Sequence, residues 1–561
     1  MAIIGIDLGT TNSLAAVWRD GISTLIPNAL GQFLTPSIVF AEENGSVWAG
    51  AMAKEKLLHS PDRGAASFKR HMGTEKVFHI GNRRFTPQEL SSLILKQLKQ
   101  DAEAFLGEPV EEAVISVPAY FNDEQRYATR EAGLLAGLKV ERLVNEPSAA
   151  ALACRMQTGE ENSEFLVIDF GGGTLDVSVV ECFEQIIEIQ AVSGDNHLGG
   201  NDFDQCIAEH FCREHHLVFE ELSAEEKTLL LKRAEQCKRT LTCTSAAMME
   251  FERNGEKLGL FLTQAQLIEI CAPLLTRLDG IIRRAMRDAR KHISDIDQIV
   301  LVGGSCRMPA VQQYIATILG KKPYLAGNPD ETVALGVGIY AGIKERKDGI
   351  KDVILTDICP FTLGVGVLGD RSPDDLLMSP LIERNSVLPV SKTGVYTTTR
   401  DFQTKIMIRV FQGESMNCRD NLFLGSLELP VPPARQGMED VLVRFTYDIN
   451  GILQVEVQNR KGETAETVIV SKRFRMSGEE LNARVKELQK VKLNQAEDAG
   501  AQLLIARGER LYTETTGRDR ETIVALLKWF SDILKTGSPA SVAAARKKLE
   551  ETFDYLENQD Y

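Results

Sequence analysis

The chain lacks any uninterrupted apolar run of the ~18 or more residues that a membrane helix needs, so a helical span is not its organising feature. It lacks a Cys-x-x-Cys pair. Its 10 cysteines are scattered, mostly inside apolar or helical stretches, which argues against a zinc site and for reduced thiols acting as small hydrophobes. It lacks a basic excess: the formal net charge of −15 argues against nucleic acid as the main ligand, because phosphate backbones select a basic footprint. Met1–Asp7 has no basic region followed by a long apolar stretch, so a secretion signal is not expected there. Gly-rich and Pro-rich low-complexity tails are also missing.

What remains is an ordinary globular composition, 43% hydrophobic and 25% charged over 561 residues, with length for about three or four domains. Two stretches of the same design stand out. Ile6-Asp7-Leu8-Gly9-Thr10-Thr11-Asn12-Ser13 and Ile168-Asp169-Phe170-Gly171-Gly172-Gly173-Thr174-Leu175-Asp176 each run from an apolar segment through Asp into small residues and Thr. This predicts a buried strand that turns tightly and exposes backbone N–H groups. Glycine lets the backbone approach a ligand closely, and successive amides aimed into one concavity bind anions. The carboxylates of Asp7, Asp169 and Asp176 do not favour phosphate by themselves, so they imply a divalent cation, Mg2+ held largely through waters. One such hairpin is ordinarily only a turn. Two can clamp a triphosphate from both sides.

To about Ile343, strand-like runs such as Ala113–Val117, Phe165–Ile168 and Gln298–Val302 alternate with amphipathic stretches, as in an α/β domain. Thr86-Pro87-Gln88-Glu89 predicts a capped helix start, with Leu90, Leu93, Ile94 and Leu98 on one face. Val353-Ile354-Leu355 is an apolar segment where a solvated linker is expected. It reads either as an edge strand or as a segment that docks in one state only. After Pro360 the pattern alternates with period two, and Asn450-Gly451 signals a hairpin, which together predict an antiparallel sandwich. From Ser477, where Ser477-Gly478-Glu479-Glu480 is a capping box, the chain reads as helical, with Leu481, Val485 and Leu488 on one face and a helix boundary at Gly537-Ser538-Pro539.

The two hairpins, with Leu301-Val302-Gly303-Gly304-Ser305-Cys306-Arg307-Met308-Pro309, resemble the three signatures of the 70-kilodalton heat-shock chaperones, the DnaK-type family. Between them lie Val117–Asp123, Asn145-Glu146-Pro147, Gly194–Gly200 and Asn328-Pro329-Asp330-Glu331, also similar to family motifs. The resemblance covers Ala2 to about Met476, and the short lid region is similar to the HscC branch of bacterial members. It implies a multidomain fold. An actin-like duplicated α/β nucleotide-binding domain would span residues 1–346 and an interdomain linker 347–359. An antiparallel β-sandwich peptide-binding domain would follow over 360–476, and a C-terminal helical lid over 477–561.

The resemblance also implies roles. Lys69 would sit at the γ-phosphate, where a cation orients the attacking water and neutralises developing charge; alone, such a lysine reads as a solvated surface charge. Glu146 would lie near the ion cluster with Asp7, Asp169 and Thr174, and Gly9, Thr10, Thr11, Asn12, Gly171, Gly172 and Gly173 would hold phosphate. Glu235, Lys238 and Arg239 share a helix face that by itself reads as a salt-bridged surface. In the family that face holds adenosine, joined by Gly303, Gly304, Ser305, Arg307 and Asp330. Pro118, Arg126 and Glu146, with the linker residues Ile354, Leu355 and Asp357, would carry nucleotide state to the sandwich. Arg142, Asn145 and Asp357 match positions used by J-domain partners. A peptide site would draw on Val365, Leu368, Tyr396, Thr397, Thr399, Ile406 and Ile408, although Ile406 and Ile408 serve equally well as core residues.

The implied activity is an ATPase that converts ATP to ADP while binding and releasing extended apolar segments of unfolded or regulatory client polypeptides. The implied cofactors are ATP or ADP with Mg2+, with potassium as a second candidate ion, and the setting is cytoplasmic. A J-domain co-chaperone is an expected partner; nucleic acid and membrane are not. Three departures from the family pattern stand out. Gly369–Asp375 reads as an inserted loop, Thr242–Leu262 as a trimmed outer lobe, and Ser477–Tyr561 as a shortened lid. The trimmed lobe argues against dependence on the exchange factor that serves longer relatives, and for fast spontaneous ADP release. Two rivals remain from the residues alone. A sugar kinase shares such hairpins but has no use for the sandwich or the apolar linker. A non-hydrolysing relative has no need of Lys69, Glu146 and the three aspartates.

Overall fold

A computed structural model describes residues 2–158, 162–253, 256–325, 327–347, 350, 353–369, 376–469, 483–485, 488, 493, 498–515 and 517–558. Two mixed sheets repeat one plan. In the first, β1 (Ala2–Asp7), β2 (Asn12–Arg19) and β3 (Ile22–Ile26) run antiparallel to one another. β4 (Val110–Val117) and β5 (Lys139–Asn145) then extend the sheet in parallel from β1, giving the order β5-β4-β1-β2-β3. In the second, β6 (Asn162–Phe170), β7 (Leu175–Phe183) and β8 (Ile186–Asp195) are the antiparallel trio. β9 (Gln298–Val302) and β10 (Tyr324–Leu325) extend it in parallel from β6. The same order of five strands occurs twice, which is the duplication the paired hairpins imply. Phe165 to Ile168 are buried on both faces, so β6 is a continuous apolar run rather than an alternating one.

The second sheet carries one strand more. β11 (Ile354–Thr356) pairs in parallel with β8, Ile354 opposite Ile186 and Leu355 opposite Ile187. The apolar linker is therefore an edge strand, and the body it edges is the one built on the two repeated sheets.

Helices fill the faces. They are α1 (Ala51–His59), α2 (Pro87–Leu106), α3 (Asp123–Leu135), α4 (Glu146–Thr158), α5 (Gly200–Glu214), α6 (Ala224–Cys243), α7 (Gln264–Ile270), α8 (Ala272–Asp288), α9 (Pro309–Leu319) and α10 (Thr332–Lys344). α2 starts at the expected capping box, Thr86 with Glu89, and buries Leu90, Leu93, Ile94 and Leu98. α10 lies on the first sheet and α4 on the second, and the two pack together between the sheets. Gly336 permits this approach: a Cβ there would stand 1.9 Å from Ala149 O. α5, α6, the hairpin of Ala246–Arg253 with Glu256–Thr263, and α7 form an outer lobe inserted between β8 and α8.

The sandwich consists of two antiparallel sheets. β12 (Leu363–Leu368), β13 (Leu376–Ile382), β15 (Lys405–Gln412) and β16 (Leu422–Pro430) form one, and β14 (Val390–Thr397), β17 (Asp440–Tyr447), β18 (Leu453–Asn459) and β19 (Thr464–Ile469) the other. Ile406, Ile408 and Val410 point into their shared core while Lys405, Met407 and Arg409 point out. The Asn450-Gly451 hairpin forms between β17 and β18. Its loop is longer than two residues, because the Asp448 side chain accepts from the amides of Asn450 and Ile452.

Helices α11 (Ala499–Glu514), α12 (Gly517–Thr536) and α13 (Pro539–Asn558) bundle around Leu504, Leu511, Ile523, Phe530 and Phe553. α11 packs on α1, where buried Arg510 reaches Glu55 at 2.7 Å. Val485 and Leu488 pack on the first-sheet core, and Arg484 pairs with Glu89. The expected capping box at Ser477, Leu481 and the loop residues 370–375 lie outside the described residues. Among the described residues no helix is long and apolar enough to cross a membrane.

Candidate nucleotide cleft and the seam beneath it

The two hairpins meet face to face. A Cβ on Gly172 would stand 1.8 Å from Thr11 Oγ1, and one on Gly173 would stand 2.4 Å from Thr10 Cγ2. Only glycine fits there, and both turns border one cleft of about 670 Å³. Asp7, Gly9, Thr10, Thr11, Asn12, Lys69, Glu146, Asp169, Gly171, Gly172 and Thr174 line it, as do Glu235, Lys238, Arg239, Gly303, Gly304, Ser305, Arg307 and Asp330. Of the nucleotide and metal residues expected from the sequence, Gly173 and Asp176 stand just behind this lining.

Lys69 lies on a short turn, Phe68–His71, and is buried, with its Nζ 2.7 Å from Glu146 Oε1. A buried ion pair costs desolvation on both sides, so stability alone is a weak reason for it. Ser116 Oγ donates to Asp7 Oδ1 at 2.7 Å, and the Tyr120 amide donates to Asp176 Oδ1 at 3.1 Å. Burial, then the charge of Glu146, pushes the Asp7, Asp169 and Asp176 carboxyls upward, Asp176 to about 7. Carboxylates crowded in this way gain when a cation joins them, and the Thr11 hydroxyl, at the facing hairpin, is buried with no hydrogen-bond partner among the described residues. The donor set is all oxygen, which suits Mg2+. Among the described residues no three carboxylate, His or Cys side chains are gathered closely enough to hold a bare metal ion by themselves.

On the far side of the cleft, α6 presents Glu235, Lys238 and Arg239 along one face. Lys238 pairs with Asp204 at 2.7 Å and donates to Gly200 O at 2.9 Å. Arg307, partly exposed, pairs with Asp330 at 2.8 Å. Its planar guanidinium is suited to stacking on a base.

Sequence reasoning missed the clasp between the halves. Arg70 reaches Asp202 through two contacts, 2.6 and 3.2 Å, and donates to Gly173 O at 3.0 Å. Its only signal was adjacency to Lys69. Asp204 and Ser116 carried none.

A second set of expected residues converges on a seam. Arg126 is buried and donates to Ala119 O, Phe121 O and, at 2.7 Å, to Asn145 Oδ1. Asn145 in turn donates to Asp357 Oδ1 at 2.5 Å. Leu355 packs on the core between the two sheets, while Ile354 is largely exposed. The sandwich docks here as well. Arg142 donates to Ile449 O at 2.8 Å, the Leu143 amide to Asn450 Oδ1 at 3.2 Å, and Tyr447 Oη to Asp123 Oδ1 at 2.7 Å. Gln412 reaches the same carboxylate at 3.2 Å, and Arg384 reaches Asp288 at 2.9 Å. Asp123, Tyr447, Gln412, Arg384 and Asp288 gave no sign of this in the sequence.

The expected peptide residues divide. Val365, Ile406 and Ile408 are buried in the sandwich core, whereas Leu368, Thr397 and Thr399 are exposed. Tyr396 is half-buried, its hydroxyl 3.2 Å from Ser379 Oγ. It lies on β14, an edge strand that among the described residues pairs only with β17.

A family model described as Hsp70 protein matches residues 3–554. The chain is 41% identical over 500 residues to the chaperone protein DnaK of Thermotoga petrophila and to that of Thermotoga maritima, covering 86% of this chain and 83% of each relative. It is 40% identical over the same span to the chaperone protein DnaK of Thermotoga neapolitana. With the duplicated sheets, the paired hairpins and a near full-length match in agreement, the chain belongs to the Hsp70 family of ATP-dependent molecular chaperones.

Proposed function

We propose that Lys69, Glu146 and the three aspartates hydrolyse ATP in this cleft, and that the Arg126–Asn145–Asp357 chain reports the result to the sandwich. The observation that carries this reading is adjacency. Asn145 holds the linker carboxylate, and the next residue, Glu146, holds Lys69. A shift of the Lys69–Glu146 pair on loss of the γ-phosphate would move the backbone that anchors Asp357.

In this account the hairpin amides bind the phosphates and exclude wrong orientations. Lys69 places its charge where the transferring phosphoryl group gains negative character, and Glu146 fixes the lysine and accepts a hydrogen bond from the attacking water. Bound at Asp7, Asp169 and Asp176, Mg2+ would neutralise phosphate charge. α6 and Arg307 hold the nucleoside. Lys69 and Glu146, paired at 2.7 Å in the lining of the cleft, favour hydrolysis over passive nucleotide storage.

Clients would be extended apolar segments bound along the open edge of β14, with main-chain pairing giving breadth and Leu368 and Tyr396 adding apolar preference. Ile406 belongs to this pocket only when the sandwich core loosens around it. We place the protein in the cytoplasm with a J-domain partner at the seam of Arg142, Asn145 and Asp357. We keep as a proposal the domain boundaries that the resemblance implies. ATP turnover, measured with and without apolar peptides and a panel of J-domain proteins, tests this reading: stimulation is expected, and turnover indifferent to all of them would refute it.

A further inference from the structure

The helical bundle meets the body through a chain of alternating charges. Arg507 and Arg510 lie three apart on α11 and share a face, and Asp554 and Glu557 do the same on α13. Arg507 donates to both oxygens of Glu557, at 3.2 and 2.5 Å, and to Asp554 at 2.6 Å. Glu557 in turn accepts from Arg510 Nη2, and Arg510 Nε donates to Glu55 on α1 at 2.7 Å. The order is Arg507, Glu557, Arg510, Glu55: three groups of the bundle and one of the body. Burial opposes its charge, yet the two guanidiniums hold the Glu557 carboxyl below its ordinary range.

The Arg510 side chain is 3% exposed, at the place where α11 packs on α1. A guanidinium has five N–H donors and keeps its charge, so donors that leave water when the surfaces meet must find acceptors. In a bundle standing free of α1, water serves Nε and Nη2. Against α1, Glu55 takes Nε and Glu557 takes Nη2. Glu557 also fixes a long side chain before contact, which removes part of the rotamer entropy that docking otherwise costs.

We propose that Glu557 is a positioning residue for docking of the bundle: it holds Arg510 in the pose that Glu55 accepts, so a side chain of α13 sets how firmly α11 sits on the body. Asp554 stands outside this role, because its ion pair is with Arg507. The Arg484–Glu89 pair anchors the preceding segment to α2 separately, so loss of the relay weakens docking without abolishing it. Lys54, the residue before Glu55, lines the large cleft, and the docked bundle and the cleft therefore share one helix. Docking stands on these ion pairs and not on the nucleotide reading.

The test uses the full chain with the exposed thiol removed by Cys243→Ser, and with an energy-transfer pair on Asp62→Cys, just after α1, and Lys535→Cys, on α12. The ratio of docked to undocked molecules is read with ATP present. Glu557→Ala is expected to lower that ratio about tenfold, as a buried donor that loses its acceptor does. Glu55→Gln is expected to lower it by a similar factor, and the double variant no further than either alone, because both changes break one relay. Asp554→Ala is expected to dock as the parent does. Parental docking in Glu557→Ala, losses that multiply in the double variant, or an equal loss in Asp554→Ala would each overturn the positioning role. A parent with no docked population would overturn the contact itself. Where Glu557→Ala unfolds the bundle, seen as lost helical signal and shifted Trp529 fluorescence, Glu557→Gln is read in its place. That variant keeps an acceptor oxygen and loses the charge, so a fall of about threefold is expected, and a parental ratio would overturn the role.

Discussion

Asn145 donates to Asp357 Oδ1 at 2.5 Å, and Asn145 is the residue immediately before Glu146, the partner of Lys69. A single peptide unit thus separates the linker's anchor from the buried Lys69–Glu146 ion pair. Arg126 fixes the other side of Asn145, so the amide cannot turn without breaking a buried charge-assisted bond.

Lys69→Ala is expected to keep ATP affinity near that of the parent while hydrolysis falls by about 10²–10³, the usual loss when one stabilising charge is removed from a transition state. In the proposed reading the hairpin amides, not the lysine, would bind phosphate, so the two roles would separate. Single-turnover hydrolysis of bound ATP checks it, and a parental rate in the variant would disprove the catalytic role.

Docking of the sandwich is expected to weaken as pH rises toward neutrality. Burial pushes Asp123 up to about 7 despite the hydrogen bond from Tyr447. Undocked, the carboxyl loses the cover of Tyr447 and Gln412 and titrates near its ordinary value, about 4. Docking thus takes up a proton between these values. It is strongest below about 4, loses strength as pH climbs to about 7, and levels off above that. An energy-transfer pair across the seam, with ATP saturating, reads the docked fraction. Asp123→Asn should be insensitive to pH, and parental docking that strengthens with pH would contradict the assignment.

Binding of Mg2+ with ATP should release protons near neutral pH. The carboxyls of Asp7, Asp169 and Asp176 are all raised, so part of the population is protonated until a cation arrives. Cation affinity is therefore expected to rise with pH through about 7 and flatten above it. Calorimetry in two buffers of different ionisation enthalpy counts the protons. Identical heats in both would remove these carboxylates from the metal site.

The nucleotide cleft was the most legible part of the sequence because its chemistry is local. Tight turns built to face phosphate gather Gly, Thr and Asp within a few residues, as at Asp7–Asn12 and Asp169–Thr174. The seam was only half legible. Asp357 and Asn145 lay in recognisable motifs, but Asp123 and Tyr447 are 324 residues apart and neither is unusual in its own neighbourhood. Ile406 shows the limit of periodicity: alternation places it inward, yet an inward residue fits a core and a pocket equally well. The linker was ambiguous for a related reason. An apolar strand of three residues signals pairing but not its partner, and only the open edge of β8 supplies that.

The central claim is that nucleotide state and peptide binding communicate through the docked linker, and Leu355→Asp tests it most directly. Leu355 packs on the core between the sheets, and a charge there opposes docking without touching the cleft. ATP turnover is measured with and without a saturating apolar peptide. The expected result is parental ATP affinity with peptide stimulation abolished. Full peptide stimulation in Leu355→Asp would contradict the account.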